Sequence, residues 1–232
     1  MIGIIFDPSF LFCLGCLLTP LIIQYRENPE LIYNETLKHF SDPAIIIGFS
    51  FIIFALFLCR NSKSSLGILE SKIANWMLFN GGIIHVTMDG LTGGYHLLPL
   101  LNKHYCILDK RFLTDEPNSF VITHIELFIM APLCFLSYIA FRNGSIHKYT
   151  FSIVVSSLQI MGGIIFAGSE IVANFPNVPV DRNFQFTFHY LLYFWFGFGA
   201  NLIWIVIPLL IILHSIKEIG KLEIREQEKK NK

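Results

Sequence analysis

The chain of 232 residues is 53% hydrophobic and 15% charged, and its 17 basic residues balance its 17 acidic ones. An average soluble domain is about 25% charged, so the composition excludes a disordered chain, and five scattered cysteines exclude a disulfide-stapled secreted domain. A nucleic-acid binder is excluded too, because no basic excess exists to neutralise phosphates.

Six apolar stretches follow one another along the chain, enough for about six membrane spans of about 20 residues each. They lie at about 3–24, 43–59, 73–99, 119–141, 150–173 and 187–215. Continuous runs favour helices over a barrel, whose lipid-facing strands alternate over about 10 residues. We therefore predict an all-α membrane protein.

The first stretch is a poor signal peptide, because it has no basic start and contains Asp7 and Pro20. We interpret it as a membrane segment. If it spans, the chain has six spans; if it lies on the surface, it has five. Cys13 and Cys16 form a C-x-x-C pattern inside this apolar run, which favours packing over metal or redox chemistry.

The distribution of Lys and Arg predicts the orientation. The polar segments 60–72 and 142–149 together with the tail from residue 216 carry eleven of these residues, whereas 25–42, 100–118 and 174–186 carry six. The positive-inside rule therefore places the C-terminus in the cytosol. With six spans the N-terminus is cytosolic as well, and with five it is luminal.

Two short signals agree with this orientation. Lys229 and Lys230 form a dilysine near the end of the chain that resembles a retrieval signal of the endoplasmic reticulum; a solvated basic tail is the alternative. Asn34 begins a glycosylation sequon in a loop assigned to the lumen, close to both flanking spans. We therefore predict a multi-pass protein of the endoplasmic reticulum membrane.

Ionisable side chains inside the spans are few, and such residues usually mark a function because they are costly in hydrocarbon. His85 and Asp89 are four residues apart and share one helix face. They form either a proton-handling pair or a structural pair that joins two helices. Glu126 is the only carboxylate of its span, and in hydrocarbon it tends to stay protonated. It can donate a proton to a ligand or a hydrogen bond to a neighbouring helix.

Four further side chains are candidates for ligand binding. They are Gln159, Glu170, Asn201 and Trp204. Asn201 and Trp204 are three residues apart, so an amide and a cation-binding ring face the same side. Glu170 lies near a span end, where it could simply reach the interface. Together these groups predict an apolar cavity with a few convergent polar groups, suited to a lipophilic ligand with one polar or cationic centre.

Several short motifs occur in a fixed order over about residues 45–220. They are Ile84-His85-Val86-Thr87-Met88-Asp89-Gly90, Lys103-His104-Tyr105, Asp109-Lys110-Arg111-Phe112, the span of Glu126, Gln159-Ile160-Met161-Gly162, and Asn201-Leu202-Ile203-Trp204 with Pro208. The set resembles the emopamil-binding protein family, also called EXPERA-domain proteins. Asp89 stands where the isomerases of this family have Glu, and the spacing from Glu126 to Pro132 is closer to the sigma-two receptor branch.

The resemblance implies a five-helix bundle at 43–216, preceded by an N-terminal hydrophobic segment and luminal loop at 1–42 and followed by a cytosolic tail at 217–232. It also implies sterol Δ8-Δ7 isomerase activity without a cofactor or metal. If the roles known in the family hold at the matching positions, Glu126 delivers a proton, and His85, supported by Asp89, removes one. Trp204 then stabilises the intermediate cation, and Asn201 positions neighbouring groups.

Other functions remain as alternatives. A binding protein on the same scaffold would hold sterols or cationic amphiphilic drugs without turnover, and a transporter or an unrelated bundle is a third reading. Association into a homodimer is left open. Asp89 is the sequence feature that distinguishes the enzyme hypothesis from the binding hypothesis. A pocket that only binds a ligand can tolerate an acid that is one methylene too short to be placed for proton transfer.

Overall fold

In the computed structural model the described residues are 6–62, 64–177 and 200–231. The first part of the sixth predicted span, 187–199, lies outside them, as does most of segment 174–186. The described residues form helices and short connections. The helices are α1 Pro8–Glu27, α2 Ile32–Ser41, α3 Pro43–Leu58, α4 Ile68–Phe79, the π-helix π1 Asn80–Gly94, α5 Pro99–Leu108, α6 Arg111–Thr114, α7 Pro117–Ile125, the π-helix π2 Glu126–Met130, α8 Ala131–Arg142, α9 His147–Val172 and α10 Ala200–Lys230.

Three helices begin with the same two-residue pattern, an acidic residue followed by proline. Asp7, Asp42 and Glu116 are the capping residues of α1, α3 and α7, and each accepts a backbone N–H of its helix. Proline fits the first helical position because the N–H it lacks would have no partner there. Caps of this kind typically contribute about 1 kcal/mol each, and they fix where the helices start.

Helices α4 and π1 run on without a break and form the centre of the bundle. Nearly every residue from Ile73 to Gly94 is buried. Helix α3 approaches this centre closely at Gly48, where an added Cβ would come within 2.5 Å of the Gly82 carbonyl oxygen. A larger residue at position 48 would therefore push α3 away from the helix that carries His85.

In the part of the chain that the structure describes, four helices are long and apolar enough to cross a membrane: Pro8–Glu27, Pro117–Arg142, His147–Val172 and Leu202–Lys230. A fifth span results if Pro29–Ser41 and Pro43–Leu58, bent by 51°, count as one. The structure thus confirms an all-α membrane protein with four to five candidate spans. The predicted span 73–99 is not among them, because its polar residues Asn75, Asn80, His85 and Asp89 lower its apolarity. Neighbouring helices bury nearly all of the described part of this segment up to Gly94.

The N-terminal helix α1 packs onto the centre of the bundle. Its capping residue Asp7 accepts a hydrogen bond of 2.9 Å from the Asn75 amide, and Asn75 in turn accepts one of 3.0 Å from Arg142. Cys13 and Cys16 are buried free thiols on the inner face of α1. The polar chain from Asp7 to Arg142 therefore ties α1 to α4 and α8.

Candidate active site

Three ionisable side chains of the sequence prediction meet in the centre of the bundle. One ligand atom each of His85, Asp89 and Glu126 lies within 4.8 Å of the other two. His85 Nδ1 and Asp89 Oδ2 are 3.7 Å apart. The structure thus brings together the two residues of one helix and the acid of another.

All three residues lie in π-helical segments, which the sequence did not predict. His85 and Asp89 belong to π1, and Glu126 is the first residue of π2. Thr87 and Thr92 donate side-chain hydrogen bonds to carbonyl oxygens five residues earlier in the chain, at Gly82 and Thr87. A π-turn widens the helix, and such turns recur at functional sites. The glycines of π1 are the sequence feature that could have suggested this departure.

Gln159 of α9 fixes the orientation of the His85 ring. The amide nitrogen of Gln159 lies 3.0 Å from His85 Nε2, and both side chains are buried. If Gln159 donates, Nε2 is the acceptor and the N–H sits on Nδ1, facing Asp89. If the amide is turned over, its oxygen accepts from Nε2 and the Nδ1 lone pair faces the two acids instead. Gln159 can therefore support either tautomer that a proton-transfer cycle would use.

A cavity of about 80 Å³ adjoins the two acids Asp89 and Glu126. Its polar lining comes from Asp89, Glu126, Gln159 and Ser119, and its apolar lining includes Phe112, Phe166 and Trp204. Ligand sites for drug-sized molecules usually measure about 300–1,000 Å³. A sterol would therefore have to enlarge this cavity by moving the helices or side chains around it.

Trp204 is held against the site by two other aromatic rings. Its ring centroid lies 5.3 Å from that of Trp76 and 5.6 Å from that of Phe12, both at steep angles. Phe12 comes from α1, so the N-terminal helix helps to set the position of the ring that lines the cavity. Edge-to-face pairs of this kind are favoured by the charge distribution of the rings.

Two residues near Asp89 were not proposed as site residues from the sequence. Tyr105 of α5 contacts Asp89 through its side chain, and Cys16 of α1 is close enough to interact with it electrostatically. Burial, followed by the Asp89 charge, raises the pKa of the Tyr105 phenol, which keeps its proton available for donation. Tyr105 belongs to the Lys103-His104-Tyr105 motif, but the motif does not reveal that its side chain contacts Asp89. That contact depends on how α5 packs against π1.

Glu170 lies apart from this cluster. It sits 3.5 Å from Arg111 and accepts hydrogen bonds from the backbone and side chain of Asn177. Arg111 also binds Asp109 and the Phe166 carbonyl, and its guanidinium stacks 3.9 Å from the Phe166 ring centre. Because Phe166 also lines the cavity, this buried ion network packs against one of its walls. The side chain of Asn201 lies outside the described part of the chain.

The arrangement can exchange protons with a bound molecule. The carboxyl groups of Asp89 and Glu126 and the ring of Trp204 line one small space, and the buried imidazole of His85 lies behind the two acids, within 4.8 Å of them. One nitrogen and two carboxylate oxygens are also a donor set that a divalent cation accepts. In an apolar surrounding, the proton can move between the acids and the imidazole without bulk water.

Residues 97–215 match the EXPERA (EXPanded EBP superfamily) family. The 3-beta-hydroxysteroid-Delta(8),Delta(7)-isomerase of Rattus norvegicus is 26% identical over 145 residues, which cover 59% of this chain and 60% of that protein. The protoglabretal synthase of Citrus sinensis is 21% identical over 188 residues, covering 77% of this chain and 84% of the synthase. The isomeliandiol synthase of Melia azedarach is 24% identical over 164 residues, which cover 65% of this chain and 70% of the synthase.

The match to the mammalian isomerases thus spans about 60% of their length. The family match by itself covers just over half of the present chain and includes Glu126, Gln159 and Trp204. His85 and Asp89 precede the matched segment in the sequence. In the folded bundle they lie within 4.8 Å of Glu126, which belongs to that segment. The chain belongs to the EXPERA family of membrane proteins.

Proposed function

We propose that this protein is a sterol Δ8-Δ7 isomerase of the endoplasmic reticulum membrane. Family membership and the mammalian relatives support a role in sterol isomerisation. The observation that carries the proposal is the convergence of His85, Asp89 and Glu126 within 4.8 Å of one another beside a cavity lined by Trp204. This site unites an acid, a base and a ring that can face a cation.

The reaction would proceed by two proton transfers. The π electrons of the ring double bond take the proton of the Glu126 carboxyl, which leaves a carbocation on the neighbouring carbon. A proton next to that carbon then leaves to His85, and its bonding pair forms the new double bond. The sum is an isomerisation in which one proton is gained and one is lost, and no electrons leave the substrate.

Each neighbouring residue would have a separate task in this cycle. Asp89, 3.7 Å from His85 Nδ1, would stabilise the imidazolium that forms. Gln159 would hold the ring through Nε2. Trp204 would present its π face to the cation, a contact worth about 2 kcal/mol or more when desolvated. Asn201 would position nearby groups from the start of α10.

A binding protein without turnover is the second candidate. One observation favours it: Asp89 is one methylene shorter than the glutamate of the isomerases it resembles, which shortens the reach of the acid. Such a protein would hold sterols or cationic amphiphilic drugs, because an ammonium group pairs with the two carboxylates and Trp204. A homodimer would be compatible with either function.

Expression in a yeast strain that lacks its own Δ8-Δ7 isomerase tests the enzyme against the binder. The enzyme predicts Δ7-sterols in the lipid extract, whereas the binder predicts that Δ8-sterols persist at the same expression level. Displacement of a labelled cationic amphiphile from the purified protein provides the control, since both functions predict binding. Fluorescence tags at the C-terminus would test the proposed cytosolic tail and the location in the endoplasmic reticulum.

A further inference from the structure

A second pocket lies away from the candidate active site and shares no residue with it. Its volume is about 560 Å³, and it is formed where α4 and α9 begin and where α10 runs beyond the bundle. All three strongly basic segments of the sequence, 60–72, 142–149 and the tail, contribute to its lining. We name it the charged pocket, after its lining residues Glu70, Lys148, His214, Glu218, Lys221 and Arg225.

The charge of the pocket favours an anion. Three cations and two carboxylates line it, a net formal charge of +1. Helices α4 and α9 both begin at its wall, and their capping residues Gly67 and Ile146 supply no side-chain hydrogen bond, although the Ser145 hydroxyl accepts the first N–H of α9 from His147. Because each helix N-terminus acts as roughly +0.5 charge and the C-terminus of α8, which ends beside Gly144, as roughly −0.5, the total is about +1.5. Exposed backbone N–H groups at such ends are ready donors to phosphate oxygens.

The side chains retain donors for such an anion. Lys148 and Tyr149 bind one oxygen of Glu70, and Lys221 binds one oxygen of Glu218. An ammonium has three N–H donors, so each lysine can serve a carboxylate and a phosphate together. His214 Nε2 is shielded and has no hydrogen-bond partner among the described residues. The free N–H groups of Lys148 and Lys221 are therefore the donors available to a bound phosphate.

The rim of the pocket is apolar, which points to an amphiphile. Ile68 and Ile146, which line the pocket, are 81% and 62% exposed. A phosphate ester with acyl chains would place its head among the cations and its chains along these side chains. Basic pockets between membrane helices at the cytosolic surface commonly hold anionic lipid headgroups.

We propose that the charged pocket binds the phosphate headgroup of an anionic phospholipid, with the acyl chains against the exposed apolar rim. The lipid would join α10, which packs mainly along α9, to the start of α4. The site does not depend on catalysis at His85, and its test needs no substrate.

The experiment measures retention of phosphatidic acid, phosphatidylinositol and phosphatidylcholine on the full-length protein by native mass spectrometry. We expect retention of the two anionic lipids and little of phosphatidylcholine. The double substitution K221Q/R225Q should weaken anionic lipid binding on the order of 30-fold, since each basic residue near a membrane surface contributes about 1 kcal/mol. Glu218→Gln removes a negative charge from the pocket and should strengthen binding.

The matched control is K229Q/K230Q, which removes the same charge from the same helix beyond the pocket and should leave retention nearly unchanged. An equal loss in both double variants would overturn the proposal in favour of general surface attraction. Saturation by inorganic phosphate with the same affinity would overturn it in favour of a site for free phosphate. Equal retention of phosphatidylcholine, or no retention of any lipid, would also contradict it.

Discussion

The amide nitrogen of Gln159 lies 3.0 Å from Nε2 of His85, across the interface between α9 and π1. This contact leaves the other ring nitrogen facing Asp89, with no hydrogen-bond partner among the described residues. The side chain on one helix therefore decides which nitrogen of a side chain on another can exchange a proton with the acids. The proposed chemistry depends on this pairing as much as on the acids themselves.

Gln159→Leu removes the partner of His85 Nε2 while it keeps a side chain of similar size. An unpaired buried group costs about 1–3 kcal/mol, so we expect sterol conversion to fall about tenfold or more. The measurement is the initial rate of conversion with the purified protein. Ser156→Ala, three residues earlier on the same helix, is the control, because the buried Ser156 hydroxyl has no partner among the described residues. Equal losses in both variants would argue against a specific role for Gln159.

Phe12→Leu tests whether α1 positions Trp204. Loss of the ring contact at 5.6 Å should let Trp204 shift and weaken binding of a cationic amphiphile about fivefold, since such pairs contribute about 1 kcal/mol. Tryptophan fluorescence and amphiphile affinity are the measurements. Phe10→Leu is a matched control on the same helix, because Phe10 packs against Phe79 at 5.0 Å instead. If Phe10→Leu weakens binding as much, the effect belongs to the helix as a whole.

Glu170→Gln tests whether this residue supports the fold or contacts the ligand. Its buried contacts with Arg111 and Asn177 predict a loss of about 1–3 kcal/mol in the free energy of unfolding. We expect a lower midpoint of thermal unfolding and an unchanged affinity of the folded protein for amphiphiles. Asp115→Asn, which affects an exposed pair with His96, should change stability little. Weaker binding at unaltered stability would instead assign Glu170 to the ligand site.

Glu70 predicts a pH dependence of stability. Burial would raise the pKa of Glu70, but hydrogen bonds from Lys148 and Tyr149 outweigh it and hold the pKa below its ordinary value. A carboxyl with a lowered folded pKa stabilises the fold above its unfolded pKa, and the contribution is lost as the pH falls through the folded pKa. The wild-type protein should therefore lose thermal stability in acid, and Glu70→Gln should lose less. Glu223→Gln, an exposed change on α10, should follow the wild type; identical profiles for all three would refute this origin.

Much of the fold could be predicted from the apolar runs, because membrane helices are defined by length and composition. The stretch 43–59 corresponds to α3 at Pro43–Leu58, and 119–141 corresponds to the span Pro117–Arg142. The loops 25–42 and 100–118 looked merely polar, yet they contain α2, α5 and α6. Short helices of mixed composition give no clear signal, because their stability comes from packing against neighbours.

The candidate site was predictable in its residue types and less so in its geometry. Spacing alone placed His85 and Asp89 on one face, but the meeting with Glu126 and Gln159 needs three helices in register. The π-turns, the approach of Tyr105 and the part played by α1 through Phe12 and Cys16 are tertiary features. No local pattern encodes them, because they arise from contacts between distant segments.

The most direct test of the central claim is the conversion of a Δ8-sterol by purified protein in heavy water, for the wild type and for Glu126→Gln. The wild type should yield a Δ7-sterol that carries one deuterium from the carboxyl of Glu126. The variant should bind the sterol but leave it unchanged. Conversion without deuterium uptake, or full conversion by the variant, would contradict protonation by Glu126, and an inert wild-type protein would contradict the isomerase itself.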